Sequence, residues 1–239
     1  DFSKQSILVL ENFGPTKYSE IITKKNRKKI YRLAVDTIVD IQKIRHPDLS
    51  KYSLNMFNAE SNLFFDWYLK NLKSNETNLL KKEFNLLFKS YLSSIDIPQV
   101  LVHRDFHVDN LFYLSKSNSV KCGLIDYQDA VIGPCTYDLV SLTQDARIDV
   151  SKQLENELIN YFLESNVKIK REDFMLSYNL LAIQRHMKVL GIFCRLSLRD
   201  NKDQYLQHLP RVKKMLNENL KKRKFEKFNS LLSPVLNHV

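Results

Sequence analysis

The sequence predicts a mainly helical α+β fold with a small insert of β-strands. Apolar residues recur at helical spacing along most of the chain, whereas residues 99–126 alternate short apolar runs with polar loops. With 239 residues and 44% hydrophobic content, the chain can form one or two ordinary domains. No internal repeat and no linker rich in Pro, Gly or Ser divides it. We therefore expect one helical domain that carries the strand insert.

Before the insert, the pattern indicates one strand followed by helices. Residues 7–10 form an apolar run that a Gly-Pro pair closes, as in a buried strand and turn. Apolar residues at helical spacing then predict a helix over residues 30–44, which ends at a His-Pro pair. Two further helices are predicted over about residues 56–72 and 77–93.

Within the insert, three short apolar runs predict strands at residues 100–102, 111–114 and 120–125. The last two strands should form a hairpin around the turn-prone residues between them. After the insert the helical period resumes. The predicted helices cover residues 137–146, 151–163, 171–196 and about 203–220.

Composition and charge exclude several classes of partner. The net charge is +10, and basic runs lie at residues 24–29 and 221–224. No aromatic stacking pattern or groove-reading motif accompanies these runs. We therefore interpret them as solvated helix faces rather than a nucleic-acid site. No segment reaches the roughly 20 apolar residues of a membrane span. The three cysteines form no C-x-x-C pair, which favours reduced thiols and a cytoplasmic protein.

Ionisable residues are concentrated in the insert, in the sequence HRDFHVDN at 103–110 and at Asp126. Phosphoryl transfer needs a carboxylate that orients the attacking hydroxyl and accepts its proton, and oxygen ligands that hold Mg²⁺ against the nucleotide phosphates. Asp105 fits the base, and Asn110 and Asp126 fit the metal ligands, because the hairpin returns the chain beside the loop. The spacing therefore predicts a kinase-like site.

Two other interpretations of the insert remain open. A polar turn with helix-capping aspartates would need no chemistry at all. Alternatively, His103, Asp105, His107 and Asp109 alternate and would share one face of a strand, as in a metallohydrolase. That arrangement lacks a later His or Cys to complete the ligand set, and it leaves Asn110 unused.

The loop resembles that of the aminoglycoside phosphotransferase and choline kinase family, which shares the protein-kinase fold. Three stretches that include it are similar to the bacterial N-acetylmuramate/N-acetylglucosamine anomeric kinases of that group. They are HRDFHVDNL at 103–111, GLIDYQDA at 123–130 and YDLVSL at 137–142. The stretch QRHMKVLGIF at 184–193 is similar to the same anomeric kinases. The resemblance runs from about residue 7 to residue 215.

The resemblance implies a protein-kinase-like large C-terminal lobe in which a small β-hairpin insert carries the catalytic loop. It implies a cytoplasmic, monomeric enzyme that uses ATP and Mg²⁺ to phosphorylate the anomeric hydroxyl of a sugar during recycling of peptidoglycan. The alternatives are a kinase of another small hydroxyl substrate, such as an aminoglycoside or a choline-like compound, or a truncated, non-catalytic kinase-like binding protein. The basic charge favours an anionic substrate.

The resemblance also assigns roles by position. The catalytic residues would be Asp105, His103, Arg104 and His107. The nucleotide would contact Leu10, Glu11, Asn12, Phe13 and Asn110, the metal would be held by Asn110 and Asp126, and the loop would be supported by Asp138. The candidate sugar contacts are Glu60, Asp109, Gln128 and Arg185.

The N-terminal part departs from the family pattern. Residues 1–14 resemble the last strand of a small lobe and the hinge, and residues 15–239 resemble the large lobe, with catalytic loop 103–110 and metal-binding loop 126–129. The strands that would carry a phosphate-covering loop and a phosphate-binding lysine are not located, so the small lobe is largely absent. The chain begins at Asp1 without Met or a signal peptide. We therefore expect a fragment that is inactive by itself.

Overall fold

The computed structural model describes residues 11–45, 48–116, 119–165 and 169–236, which form a mainly helical domain. The α-helices are α1 (Tyr18–Ile21), α2 (Arg27–Gln42), α3 (Leu54–Leu63), α4 (Ser74–Ser93), α5 (Tyr137–Thr143), α6 (Lys152–Glu164), α7 (Arg171–Asp200), α8 (Leu209–Leu220) and α9 (Glu226–Leu236). The strands are β1 (Gln99–Val102), β2 (Leu111–Lys116), β3 (Ser119–Leu124) and β4 (Val131–Pro134). The predicted fold class is confirmed.

The strands form two small antiparallel sheets. β2 pairs with β3 along its whole length, with Leu111 opposite Leu124 at one end. This pairing confirms the predicted hairpin. β1 pairs with β4 so that Val102 lies opposite Val131. β4 was not predicted, because a Gly-Pro pair at its end gives a turn signal instead. The strand predicted at residues 7–10 lies outside the described residues.

Two predicted helices each correspond to two successive elements in the structure. The helix predicted over residues 56–72 is α3 followed by a π-helical turn at Phe64–Tyr68. The helix predicted over residues 203–220 is a 3₁₀ segment, Asp203–His208, followed by α8. Pro210 occupies the first turn of α8, where its missing N–H costs nothing but where it cannot continue a preceding helix. α9 was not predicted.

The loop between β1 and β2 lies between two apolar clusters. Val102, at the end of β1, belongs to a cluster formed largely by α3, α4, α7, α8 and α9. Phe106, Val108 and Leu111 belong to a second cluster with α2 and α6. Phe106 and Val108 are completely buried. The polar residues of the loop are therefore held by apolar anchors on both sides.

Close packing of α7 against α3 positions further polar residues. A β-carbon at Gly191 would lie 2.2 Å from the carbonyl carbon of Leu63, so only glycine permits this approach. The contact brings the middle of α7 beside Glu60 on α3. Within the described ranges, no helix is both long and apolar enough to cross a membrane.

Candidate active site

The backbone of the loop is fixed by a buried carboxylate, Asp138, at the start of α5. Its two oxygens accept the backbone N–H of His103 at 2.7 Å and that of Arg104 at 3.0 Å. Asp138 is completely buried, and burial raises its pKa to about 7 although both N–H donors favour the carboxylate. These two bonds hold Arg104 in a left-handed conformation with φ of 72°.

His103 connects the loop to the end of the hairpin. Its Nδ1 accepts the backbone N–H of Asp105 at 3.3 Å, and its Nε2 lies 3.0 Å from the carbonyl oxygen of Ile125. A carbonyl oxygen only accepts, so Nε2 carries the proton and the ring is neutral. Burial lowers the pKa of His103, in agreement with this neutral form. His103 therefore braces the loop rather than facing the cavity.

Asp105 presents a carboxylate whose side chain is 50% exposed. His107 Nε2 lies 3.2 Å from its Oδ1, and Asn110 Nδ2 lies 3.4 Å from its Oδ2 and donates to its backbone oxygen at 3.0 Å. Burial tends to raise the pKa of Asp105. The hydrogen bond to His107 and the positive charges of Arg185 and Lys188 outweigh that effect and hold this pKa well below its usual range.

Asn110 and Asp126 lie at the junction of the loop and the hairpin. The backbone N–H of Ile125 donates to the carbonyl oxygen of Asn110 at 3.2 Å. Asp126 adopts a left-handed conformation with φ of 69° and accepts a hydrogen bond from Gln128 at 2.7 Å.

The fit of these residues to a metal ion depends on the kind of ion. Among the described residues, no group of three or more His, Cys, Asp or Glu side chains could hold a metal ion. Mg²⁺ is commonly held by only one or two carboxylates together with phosphate oxygens and water. Amide and carboxylate oxygens of Asn110 and Asp126 therefore fit Mg²⁺ bound with a nucleotide.

Glu60 is the centre of a buried ionic network. Its Oε1 accepts from Arg104 at 2.5 Å and from Lys188 at 2.9 Å, and its Oε2 accepts from Gln184 at 3.1 Å and from the hydroxyl of Tyr52. Burial would raise the pKa of Glu60, but Lys188 and the other donors lower it below its ordinary value. Both oxygens are thus occupied by the protein itself.

A cavity of about 180 Å³ adjoins Asp105. Its polar wall includes Arg147, Arg185 and Lys188, and its apolar wall includes Ile192, Phe193 and Tyr205. Arg185 is buried and reaches this space from α7. The cavity lining therefore combines a carboxylate, three cationic side chains and an aromatic surface.

The other predicted site residues that the structure describes lie outside this cavity lining. Asp109 pairs with Arg147 Nε at 2.7 Å. Three of the predicted nucleotide contacts are also described. Asn12 Oδ1 accepts the backbone N–H of Gly14 at 2.8 Å, and the centroid of the Phe13 ring lies 6.0 Å from that of Phe112. Glu11 is exposed. Leu10 lies outside the described residues.

Lys188 was missed by the sequence reasoning, although it lies in a quoted motif. Gln184 and Lys188 are spaced four residues apart in a largely buried helix, which places them on one face. A polar stripe inside a buried helix signals an internal network. The structure shows that the partner of this stripe is Glu60.

The fold is similar to that of solved kinase structures. A choline/ethanolamine kinase family protein from Mesorhizobium loti superposes with a TM-score of 0.62 at 13% identity, covering 93% of this chain and 70% of that protein. An ADP-bound aminoglycoside phosphotransferase superposes with a TM-score of 0.55 at 13% identity, covering 85% and 69%. These similarities define an aminoglycoside-phosphotransferase-like, protein-kinase-like fold.

Sequence comparison then assigns the family. Residues 4–169 match the phosphotransferase enzyme family, and the chain belongs to it. It is 31% identical over 220 residues to N-acetylmuramate/N-acetylglucosamine kinase of Pseudomonas aeruginosa, covering 87% of the chain and 63% of that relative. The protein of the same name from Pseudomonas putida is 31% identical over 229 residues, covering 92% and 66%. The chain thus spans slightly less than two thirds of the length of these relatives.

Proposed function

We propose that this protein transfers the γ-phosphoryl group of ATP to the anomeric hydroxyl of N-acetylmuramate or N-acetylglucosamine, in the recycling of peptidoglycan sugars. The observation that carries the proposal is the Asp105 carboxylate, which is half-exposed beside a cavity of monosaccharide size. The names of the relatives at 31% identity supply the substrate class. The expected monomeric state and cytoplasmic location stay predictions.

Asp105 would act on the acceptor. Its low pKa keeps it ionised at neutral pH, so it can accept a hydrogen bond from the anomeric hydroxyl and receive the proton as the new P–O bond forms. An anomeric hydroxyl is more acidic than an ordinary alcohol, which suits a weak base. His107 would hold the carboxylate through Oδ1, leaving Oδ2 beside Asn110.

Asn110 and Asp126 would hold Mg²⁺, and the chain around Leu10 to Phe13 would meet the nucleotide as a hinge. ATP would supply the phosphoryl group and Mg²⁺ would neutralise charge on its phosphates. Arg104 would not touch the reactants in this scheme. Its guanidinium, bonded to Glu60 and to the carbonyl oxygen of Asp129 at 3.0 Å, would fix the start of the loop.

The cavity argues against a polycationic acceptor. Lys188 is paired with Glu60 and Arg147 with Asp109, but Arg185 lines the cavity with no carboxylate of the described residues within 4.0 Å. This positive charge in a confined site opposes binding of an aminoglycoside or a choline-like cation. Its volume, about 180 Å³, is also smaller than the roughly 300 Å³ of sites that bury drug-sized ligands. A single neutral or anionic sugar ring fits both properties better.

The test uses the full-length protein and the variant Asp105→Asn. ADP release is measured with each amino sugar, and ³¹P NMR identifies the phosphorylated position. We expect an anomeric phosphate from the wild type and a loss of at least about 100-fold in kcat for Asp105→Asn. Asp66→Asn, an exposed carboxylate paired with Lys81, should keep normal turnover. Near-normal activity of Asp105→Asn would remove the assigned base, whereas a full-length wild type that phosphorylates neither sugar would favour a non-catalytic binding protein.

A further inference from the structure

Arg185 is a buried cation that forms no hydrogen bond or contact ion pair with the described residues, although its charge acts at longer range on Asp105 and Asp138. The residue is 5% exposed. In the part of the chain that the structure describes, its guanidinium donates no hydrogen bond within 3.5 Å and meets no carboxylate within 4.0 Å. It lines the cavity beside Asp105. A buried charge without a partner is costly, so such groups are usually paired or bind a ligand.

The two other cations of the cavity are already paired. Lys188 is bonded to Glu60 at 2.9 Å. Arg147 is bonded to Asp109 at 2.7 Å and lies 3.5 Å from Asp145. Arg185 therefore provides the one positive charge of the described cavity lining that no carboxylate of the described residues compensates at contact distance.

The apolar part of the cavity lining suits the ring of a sugar. The rings of Phe193 and Tyr205 stack with centroids 5.4 Å apart, and Val189, Ile192 and Leu196 continue the apolar surface. The C–H face of a pyranose can pack on such a surface while its hydroxyls point toward the polar wall. A ligand held in this way would extend from the aromatic pair toward Arg185 and Asp105.

We propose that Arg185 binds the carboxylate of an acidic acceptor sugar, and that it selects N-acetylmuramate over N-acetylglucosamine. The inference rests on the proposed function and deepens it. N-acetylmuramate differs from N-acetylglucosamine by a lactyl ether that ends in a carboxylate, and a guanidinium matches a carboxylate with two parallel N–H donors. The neutral sugar leaves Arg185 unpaired.

The experiment compares the two sugars in the full-length protein and in Arg185→Gln. For N-acetylmuramate we expect kcat/KM to fall by about 10- to 100-fold, mainly through KM, because a charge-assisted hydrogen bond is lost. For N-acetylglucosamine the change should stay within about threefold. Arg185→Lys should recover part of the preference, since it keeps the charge but not the paired donors. Arg199→Gln, on the exposed end of the same helix, should change neither sugar.

A measurement on the wild type covers the case in which Arg185→Gln does not fold. The methylamide of N-acetylmuramate has nearly the same shape without the charge, and we expect its KM to be at least about tenfold higher. Equal binding of acid and amide would overturn the proposal. Equal losses for both sugars in a folded Arg185→Gln protein would also overturn it, because they indicate a role at the transferring phosphate. A wild type that phosphorylates neither sugar would refute the proposed function itself.

Discussion

Replacing Glu60 by Gln should destabilise the protein even without substrate. The substitution keeps the size of the side chain but removes the charge shared by Arg104 and Lys188, whose side chains are 18% and 15% exposed while that of Glu60 is 10% exposed. Removing one partner of a buried ion pair costs about 3–5 kcal/mol, because the other charge stays buried. Both cations keep slight access to water, so we expect about 3 kcal/mol.

Urea unfolding of the ligand-free full-length protein measures this loss. Glu157→Gln is the matched control, because Glu157 pairs with Lys28 at 2.7 Å on the surface, where an ion pair contributes little. Its free energy of unfolding should change much less. If Glu60→Gln is as stable as the wild type but raises only the KM for sugar, then Glu60 is a sugar contact, as the sequence resemblance implied, and the network has no structural role.

Two further predictions concern residues that position the site. Gly191→Ala gains about 1 kcal/mol of helix propensity, but its methyl group would lie 2.2 Å from the backbone of Leu63, and overpacking costs about 1–3 kcal/mol or more. The free energy of unfolding should therefore fall, and a rise would contradict the packing. Asp138 keeps its proton to about pH 7 when folded, against an ordinary value of 3.8, so the unfolded chain releases that proton first as pH rises. Relative to Asp138→Asn, the wild type should lose about 3 kcal/mol of stability between pH 4 and pH 7, and a difference that is flat with pH would refute the shift.

Much of the loop was predictable because its signal is local. His103, Asp105 and Asn110 lie within eight residues, and the hairpin that follows has a clear strand pattern. Glu60 was not predictable as a network centre, since its partners Arg104 and Lys188 lie 44 and 128 residues away. One sequence specifies such long-range pairs only through the packing of whole helices.

The same distance explains why the cavity was missed. Asp105 lies on the loop, whereas Arg185, Phe193 and Tyr205 come from α7 and the segment after it. Arg185 was named as a candidate sugar contact through resemblance alone. Its lack of a contact ion pair within the described residues gives it a specific role in our proposal. That property depends on the packing that places Glu60 beside Lys188 and Asp109 beside Arg147.

The left-handed backbone at Arg104 links the stability of the network to the chemistry of the loop. A non-glycine residue in this conformation costs on the order of 1–3 kcal/mol and persists only when its surroundings hold it. Here Asp138 holds the backbone N–H, and Glu60 holds the guanidinium. A glycine would relieve the strain but lose the contact with Glu60. Because Asp105 follows directly, its carboxylate depends on a residue that does not line the cavity. Glu60→Gln should therefore lower kcat for both sugars by a similar factor, in contrast to the selective effect of Arg185→Gln.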